Sequence, residues 1–552
     1  LLLFFQKKKR LLFFRHRRLL TGCETFWDRH CAMSQSAQHP FLESSNRPPG
    51  GTRRVFRALV LDGPRAAWLD CLALLVAAGA IRMVGLPGLP LWSDELFTVF
   101  WSQLPIDYLF GAGAGIDATP PFYYALMHGW ISLFGDSPLA VRLPSWLFSS
   151  ATVPLVYLTA ARLFDRKIAL LAGVFAAVNP FAVMYAQEAR CYALLGWVDA
   201  AALFSLAVWL RRRNLWGEVL LPWLALFGLA VSAGVFLHYT SVFFMAACFA
   251  VAAFDLGLSR PYQFERFALW GVLLLFAGGC AADQLWQASQ LFHDSRLAWI
   301  PAMTPAVAAN FLLAVMSDPQ QQGWVTWLSC VLLAAAATGA RGRVWRREAW
   351  LLLAVLPVLF CVLLFGASLV RPVAIPRVGL WLTMPLCILL AACVTGQRSG
   401  WLRGAAAVAV LAAWLVPLAH YVAKPGKEDW RTAALIAARQ PGCDGPVMYV
   451  DNSGLGLVYY QPELAQRPLF TLSLTKVQGG FAPVPIAVKQ QDILQQTYLH
   501  PNYIYLRQVP AFLAANPHTA LVLLPGYEPV LGVLPAPKLA GRLAGGLTMA
   551  CY

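Results

Sequence analysis

From Ala66 onward the chain alternates long apolar runs with short polar or basic breaks. A helix needs ~20 mostly apolar residues to cross a bilayer. Runs near 66–86, 139–163, 168–187, 190–210, 218–237, 239–257, 267–289, 324–340, 349–369, 377–396 and 402–421 predict about eleven such spans. Two further apolar stretches are too short to span. One, 120–134, opens on Pro120-Pro121 and contains His128, which suits an interfacial or re-entrant helix; the other is 305–316. Past Tyr421 the pattern changes. Glu428–Arg439 reads as an amphipathic helix with acids in its first turn, and Pro446–Val450, Tyr503–Leu506 and Ala520–Leu524 read as short buried strands. The fold class expected is therefore a polytopic α-helical membrane protein with a small C-terminal α/β domain.

Composition supports that class. Apolar residues make up 59% of the 552 and charged residues 13%, too little charge to coat a large water-facing surface. The net charge of +16 raises nucleic acid as a partner, but residues 1–65 alone carry +9 of it and much of the rest lies in short clusters between spans. That distribution matches topology signals rather than a groove that tracks phosphates, so nucleic acid is not expected. With Arg53, Arg54, Arg57 and Arg65 inside, the clusters at Arg162/Arg166/Lys167, Arg211–Arg213, Arg260/Arg266, Arg341/Arg343/Arg346/Arg347 and Arg398/Arg403 all fall on the cytoplasmic side. Eleven spans then give an N-in, C-out arrangement in the plasma (inner) membrane, with the C-terminal domain extracytoplasmic.

Three regions follow: 1–65, a basic cytoplasmic tail; 66–421, the membrane domain, with a long first external loop over 86–138; and 422–552, the α/β domain. The stretch 1–32 precedes the first methionine, Met33, and is expected to be translated upstream sequence or a basic amphipathic tail. The first span is expected to act as an uncleaved signal anchor. Most cysteines sit in apolar runs as small hydrophobes, without metal-ligand spacing. Cys443 and Cys551 lie in the C-terminal domain, where an oxidising compartment would allow a disulfide.

On this topology one face collects ionisable groups from several helix ends. The first loop brings Asp94, Glu95 and Asp117; the next turns bring Glu188, Arg190 and Tyr192, then His238 and Tyr239; later loops bring His293, Asp294 and Arg296, then Arg371 and Arg377. Ionisable groups near membrane depth are costly and mark sites or pathways. Asp94-Glu95 follows Trp92-Ser93; a carboxylate there can serve as a general base or be paired with arginine or a metal, and solvated loop acids are the plainer alternative. Arg190, Arg371 and Arg377 are candidates for a phosphate, since a guanidinium matches phosphate oxygens in a bidentate fork; for the last two, anchoring to lipid headgroups is the alternative. Among the intramembrane acids Asp199 lies deepest and is expected to bond a neighbouring helix.

An ordered series of motifs sharpens this. Trp92-Ser93-Asp94-Glu95 is followed by Asp117-Ala118-Thr119-Pro120-Pro121-Phe122-Tyr123-Tyr124, Arg142-Leu143-Pro144-Ser145, Asn179-Pro180, Glu188-Ala189-Arg190-Cys191-Tyr192 and Leu237-His238-Tyr239. The series resembles the GT-C integral-membrane glycosyltransferases, in the superfamily of the protein O-mannosyltransferases and aminoarabinose transferases, over roughly Ala66 to Tyr421 and weakly into Lys427-Glu428-Asp429-Trp430-Arg431. The resemblance implies transfer of a sugar from a polyprenyl-phosphate carrier to an acceptor on the outer side. Asp94 would be the catalytic base, with Glu95 beside it, in a single inverting displacement. Asp117 and His238 would contact the acceptor or a metal, and Glu188, Arg190, Tyr192, Arg371 and Arg377 would line the donor phosphate. Thr119 stands where many relatives have histidine, and Val378 where tyrosine is common. A divalent cation held by carboxylates and His238 stays an open alternative that no ligand spacing demonstrates. A transporter or flippase of polyprenyl-linked sugars is the competing reading; no two-half repeat supports it, and the acids gather at the outer face rather than the midplane. Membrane lipids and the lipid-linked donor are the expected partners; the sugar and the acceptor (lipid, glycan or protein) are not readable.

Overall fold

The computed structural model describes residues 64–114, 117, 119–211, 221–257, 264–292, 300–316, 323–338, 346–450, 453–477, 480–484 and 492–552. The basic tail before Pro64, the expected loop charges His293, Asp294 and Arg296, and the basic residues Arg212, Arg213, Arg260, Arg341 and Arg343 lie outside that set.

Each of the eleven expected spans is helical over most of its length. In chain order the principal helices are α1 (Pro64–Met83), α2 (Ser93–Ser102), α3 (Pro121–Phe134), α4 (Leu143–Leu163), α5 (Arg166–Val178), α6 (Pro180–Ala186), α7 (Tyr192–Arg211), α8 (Leu221–Leu237), α9 (Ser241–Gly257), α10 (Phe264–Phe292), α11 (Pro305–Met316), α12 (Gly323–Ala337), α13 (Arg347–Val370), α14 (Pro376–Thr395) and α15 (Gly400–Ala423). Six described helices are long and apolar enough to cross a membrane, or seven if the bent pair α5–α6 counts as one span. The shorter α3 and α11 occupy the two stretches judged too short to cross. Helix α7 is the hub of the bundle: all but its final arginine and Trp197 are buried, against α4, α8 and α14 among others. A helix apolar all round belongs in such an interior position.

The run 168–187, expected as one span, is broken. Its halves α5 and α6 meet at 55°. Pro180 has no N–H to continue the α5 ladder, and the Asn179 side chain caps the new helix by accepting from the Ala182 amide at 3.0 Å. The break frees carbonyls at the end of α5. Arg82, buried at the end of α1, donates to two of them, Ala176 O at 3.2 Å and Ala177 O at 3.1 Å, and to Ser149 Oγ at 2.9 Å. A cation at a helix C-terminus is favourably placed against the helix dipole. Gln187, just beyond α6, donates in turn to the carbonyls of Arg82 and Val84 at 2.9 and 2.8 Å. The break thus locks the turn after α6 to the end of α1.

Asp199 does not bond a neighbouring helix as expected. Its Oδ1 is buried without a hydrogen-bond partner among the described residues, because α8 presents Gly234 beside it, which has no side chain to donate.

Beyond α15 comes the α/β domain, with helices α16 (Trp430–Arg439), α17 (Gly454–Tyr460) and α18 (Val509–Ala515). Strands β1 (Val447–Val450), β2 (Leu469–Leu472), β5 (Asn502–Ile504), β6 (Ala520–Leu523), β7 (Leu539–Arg542) and β8 (Thr548–Cys551) form one sheet in the order β5-β2-β1-β6-β8-β7, while β3 (Leu474–Val477) and β4 (Gly480–Pro483) form a separate hairpin. The β5-β2-β1-β6 run is parallel; β8 and β7 are antiparallel additions at one edge. Strands β1, β6 and β8 are buried at every position, which explains why β1 and β6 read as continuous apolar runs rather than alternating ones. Cys443 and Cys551 are joined in a disulfide, with Cα atoms 5.2 Å apart. The helix expected over Glu428–Arg439 begins later, at Trp430, because Asp429 is its N-cap and accepts from the Thr432 amide at 3.0 Å. Glu428 is left outside the helix and serves elsewhere.

Candidate active site

The first loop folds back over the bundle end and presents α2. Asp94 and Glu95 stand in its first turn, where the helix dipole favours negative charge. The adjacent acids have different surroundings. Glu95 is fully buried and forms an ion pair with Arg142, itself fully buried. Glu95 Oε1 also accepts from Arg142 Nε at 2.7 Å and from the Ala189 amide at 2.8 Å, and Oε2 lies 3.4 Å from Lys427 Nζ. The remaining Arg142 donors reach the carbonyls of Leu89 and Pro90, each at 2.7 Å. Burial pushes the Glu95 carboxyl up, and Arg142 and Lys427 more than offset it, holding it below the ordinary range. With both oxygens engaged, Glu95 has no free face; it ties the loop to the turn after α6.

Asp94 keeps 31% of its side chain exposed and pairs through Oδ2 with Arg377 Nη1 at 2.7 Å. Burial pushes its carboxyl up, Arg377 and then Arg190 pull it down, and the net position is below the ordinary carboxylate value. Asp94 is therefore ionised at neutral pH, the form needed to accept a proton.

The turn after α6 delivers the next residues. Arg190 reaches Tyr124 Oη at 3.2 Å, Thr98 Oγ1 at 3.4 Å and Asp117 Oδ2 at 3.6 Å. Asp117, just before the Pro-Pro start of α3, accepts a hydrogen bond from Tyr124 Oη. Tyr192 lies under Arg377, whose guanidinium carbon is 5.3 Å from the ring centre, a cation–π arrangement. Glu188 is buried, with Oε2 lacking a hydrogen-bond partner among the described residues. Burial is the main cause that pushes its carboxyl up to about 7, with Lys427 acting in the opposite direction.

His238 is also buried and faces Tyr192, ring centres 5.7 Å apart. Its Nδ1 pairs with Thr240 Oγ1 at 2.8 Å. Burial, then Arg377, lowers its pKa to about 3, so the imidazole is neutral. Among the described residues no three His, Cys, Asp or Glu side chains are grouped to hold a metal ion. Asp117 turns to Tyr124 and Arg190, and His238 to Thr240, while Asp117 still acts electrostatically on His238. Arg371 ends α13, one extended segment before Arg377.

Sequence reasoning did not single out Arg142, Tyr124, Lys427 and Glu428 as site residues. Lys427 Nζ lies 2.8 Å from Gln187 O as well as near Glu95, and Glu428 Oε2 accepts from the Ser93 amide at 3.0 Å and from Trp430 Nε1 at 2.7 Å. The basic-acidic pair between the last apolar run and the next helix was the available signal. The C-terminal domain also touches the loop directly: Tyr460 Oη accepts from the Leu91 amide at 2.7 Å, and Tyr459 Oη donates to Asp136 O at 2.8 Å.

A helical membrane bundle thus carries, at the end covered by its α/β domain, a buried network of paired charges with one carboxylate partly open. Residues 118–283, which hold Arg142, Glu188, Arg190, Tyr192 and His238, match the dolichyl-phosphate-mannose-protein mannosyltransferase family. In fold the chain is similar to ArnT from Cupriavidus metallidurans in the apo state, with TM-score 0.55 and 13% identity over 88% of this chain and 98% of that one. The same enzyme bound to undecaprenyl phosphate gives 0.54 and 13% over the same shares. An oligosaccharyltransferase of Archaeoglobus fulgidus is a weaker likeness at 0.43 and 11%, over 72% and 62%. No curated protein matches the chain by sequence. Residues 118–283 thus carry the match to that family, and the chain as a whole shares the fold of ArnT.

Proposed function

We propose that the protein transfers a sugar from a polyprenyl-phosphate-linked donor to an acceptor on the extracytoplasmic side of the inner (plasma) membrane. The reading uses eleven spans, the N-terminus inside and the α/β domain outside, supported by the basic clusters between spans. ArnT's complex with undecaprenyl phosphate supports a polyprenyl carrier. The observation that carries the mechanism is the contrast between the two neighbouring acids: Asp94 is 31% exposed and singly paired, whereas Glu95 is closed off.

In this reading Asp94 takes the proton from the acceptor hydroxyl or phosphate as its oxygen attacks the anomeric carbon. The bond from that carbon to the phosphate oxygen breaks, and polyprenyl phosphate leaves with the electron pair, inverting the centre. Arg190, Arg371 and Arg377 meet the negative charge that develops on the leaving group, an effect worth ~3–4 kcal/mol per preorganised donor. Tyr192 supports Arg377 from below. Glu188, its carboxyl raised to about 7, carries less negative charge near neutral pH than an ordinary carboxylate and so repels the phosphate less. Asp117 and His238 line the acceptor side.

The test is mass spectrometry of polyprenyl-phosphate-linked sugars in membranes expressing wild type or Asp94→Asn. One species accumulating with the variant alone identifies the donor sugar and supports the base. Identical pools, with the host's own lipids present, would overturn the transferase reading in favour of transport.

A further inference from the structure

We propose that Lys427 and Glu428, on the short strap between the last span and the C-terminal domain, are positioning residues that hold Asp94 in register for the transfer. The inference rests on the reading of Asp94 as the base. Asp94 lies between Ser93 and Glu95, and the strap grips both neighbours. Glu428 Oε2 accepts from the Ser93 amide at 3.0 Å and also from the Ser93 hydroxyl. Lys427 Nζ lies 3.4 Å from Glu95 Oε2 and 2.8 Å from Gln187 O, so it joins α2 to the turn that carries Arg190. The strap supplies no hydrogen bond to the Asp94 carboxylate. It therefore fixes where that carboxylate stands while leaving its open face free.

The strap is itself held from behind. Trp430, fully buried, donates to Glu428 Oε2 at 2.7 Å. The Asp429 amide donates to Ala544 O at 3.2 Å. In the turn before β8, Gly545 has φ +69°, and a Cβ there would lie 2.3 Å from the carbonyl of Lys427 and the amide nitrogen of Glu428. Only glycine lets this turn lie against the strap. A contiguous path then runs from the C-terminal sheet through Gly545, Lys427 and Glu428 to the residues flanking the base. The α/β domain is, in this view, a structural part of the reaction centre and not only a cover for acceptors. Misplacing a reacting group by about 1 Å can cost on the order of a hundredfold in rate.

The test uses the full-length protein in membranes, with total lipid-linked sugars extracted from the host as substrate and release of free polyprenyl phosphate as the signal. Glu428→Ala and Gly545→Ala should each lower kcat on the order of a hundredfold with KM little changed. Glu428→Gln keeps an oxygen for Ser93 and should restore most of the rate. Lys427→Met removes a positive charge that helps hold Asp94 ionised, so the acidic limb of the rate profile should move to higher pH. Hydrogen exchange at the amides of residues 92–96 should rise in Glu428→Ala and return in Glu428→Gln. The two readings fail separately. Full turnover in Asp94→Asn overturns the base assignment. Wild-type kcat in Glu428→Ala, whether or not exchange rises, overturns the strap and leaves the base assignment standing.

Discussion

The two ends of the helix bundle both join arginines to carboxylates, but with different completeness. At the end away from the α/β domain, Arg166 meets Asp70 at 2.7 Å with its side chain 56% exposed, and Arg347 meets Asp255 at 2.7 Å. These are local staples between helices, Asp70 also taking a hydrogen bond from Tyr157 Oη at 2.7 Å. At the other end Glu95, Arg142, Arg190 and Lys427 are almost wholly buried, and the cations and acids form a connected network in which Asp94 keeps an open face. A staple needs one good partner per charge. A reaction centre needs many buried charges matched so that one can remain incompletely matched, and the desolvation this entails is what makes single deletions there expensive.

That contrast can be broken or sharpened in four ways. The largest effect should come from Asp94→Asn, which removes the proposed base and should cut release of polyprenyl phosphate by about 10²–10⁴-fold while the protein stays folded; a near-wild-type rate would erase the distinction between the two ends. Next is Arg142→Met, which leaves Glu95 with Lys427 as its one remaining cation. Breaking a buried pair costs about 3–5 kcal/mol, so thermal unfolding in detergent should occur at a clearly lower temperature. Glu188→Gln should have a smaller effect that depends on pH. Burial lifts the Glu188 carboxyl from its ordinary 4.5 to about 7, so the stability that goes with its protonated form is complete below pH 4.5 and is lost as pH rises through 7. The glutamine variant, always neutral, should match wild type at acidic pH and gain in melting temperature over that window. Smallest is Asp70→Asn, whose partner is solvated. Exposed pairs contribute little, so turnover should be unchanged and the melting temperature nearly so.

Much of the membrane domain was legible because apolar length and basic breaks are written directly along the chain: each of the eleven runs became helical, and α3 and α11 stayed short. The break at Asn179–Pro180 was visible as a motif, but not the 55° bend that follows from it. In the C-terminal domain β1 and β6 showed as apolar runs, and β5 in part, since the strand expected over Tyr503–Leu506 is Asn502–Ile504 and Leu506 begins a helical turn. Strands β2 and β8 did not, being four residues each with mixed polarity, nor did β7, whose four residues are all exposed at the sheet edge. Within the site, Asp94, Glu188, Arg190, Tyr192, His238 and Arg377 do converge around α2 and the turn after α6. The family resemblance chose Asp94 over Glu95 as the base, but the residue pattern did not show which of the two is closed, since adjacent residues on a helix point in directions about 100° apart and the packing of Arg142 decides it. Nor could it place Glu428, read as part of a helix, at the start of α2 more than three hundred residues earlier.

The bend after α5 also sets a rule about length. Helix α6 is restarted by Asn179 and runs for seven residues before delivering Gln187, Ala189 and Arg190 to Lys427, Glu95 and Asp117. One residue inserted between Pro180 and Ala186 would advance that turn by about 1.5 Å and rotate it by about 100°, taking all three residues out of reach at once. Between Phe181 and Ala186 the helix should therefore tolerate exchange of one apolar side chain for another far better than any insertion or deletion.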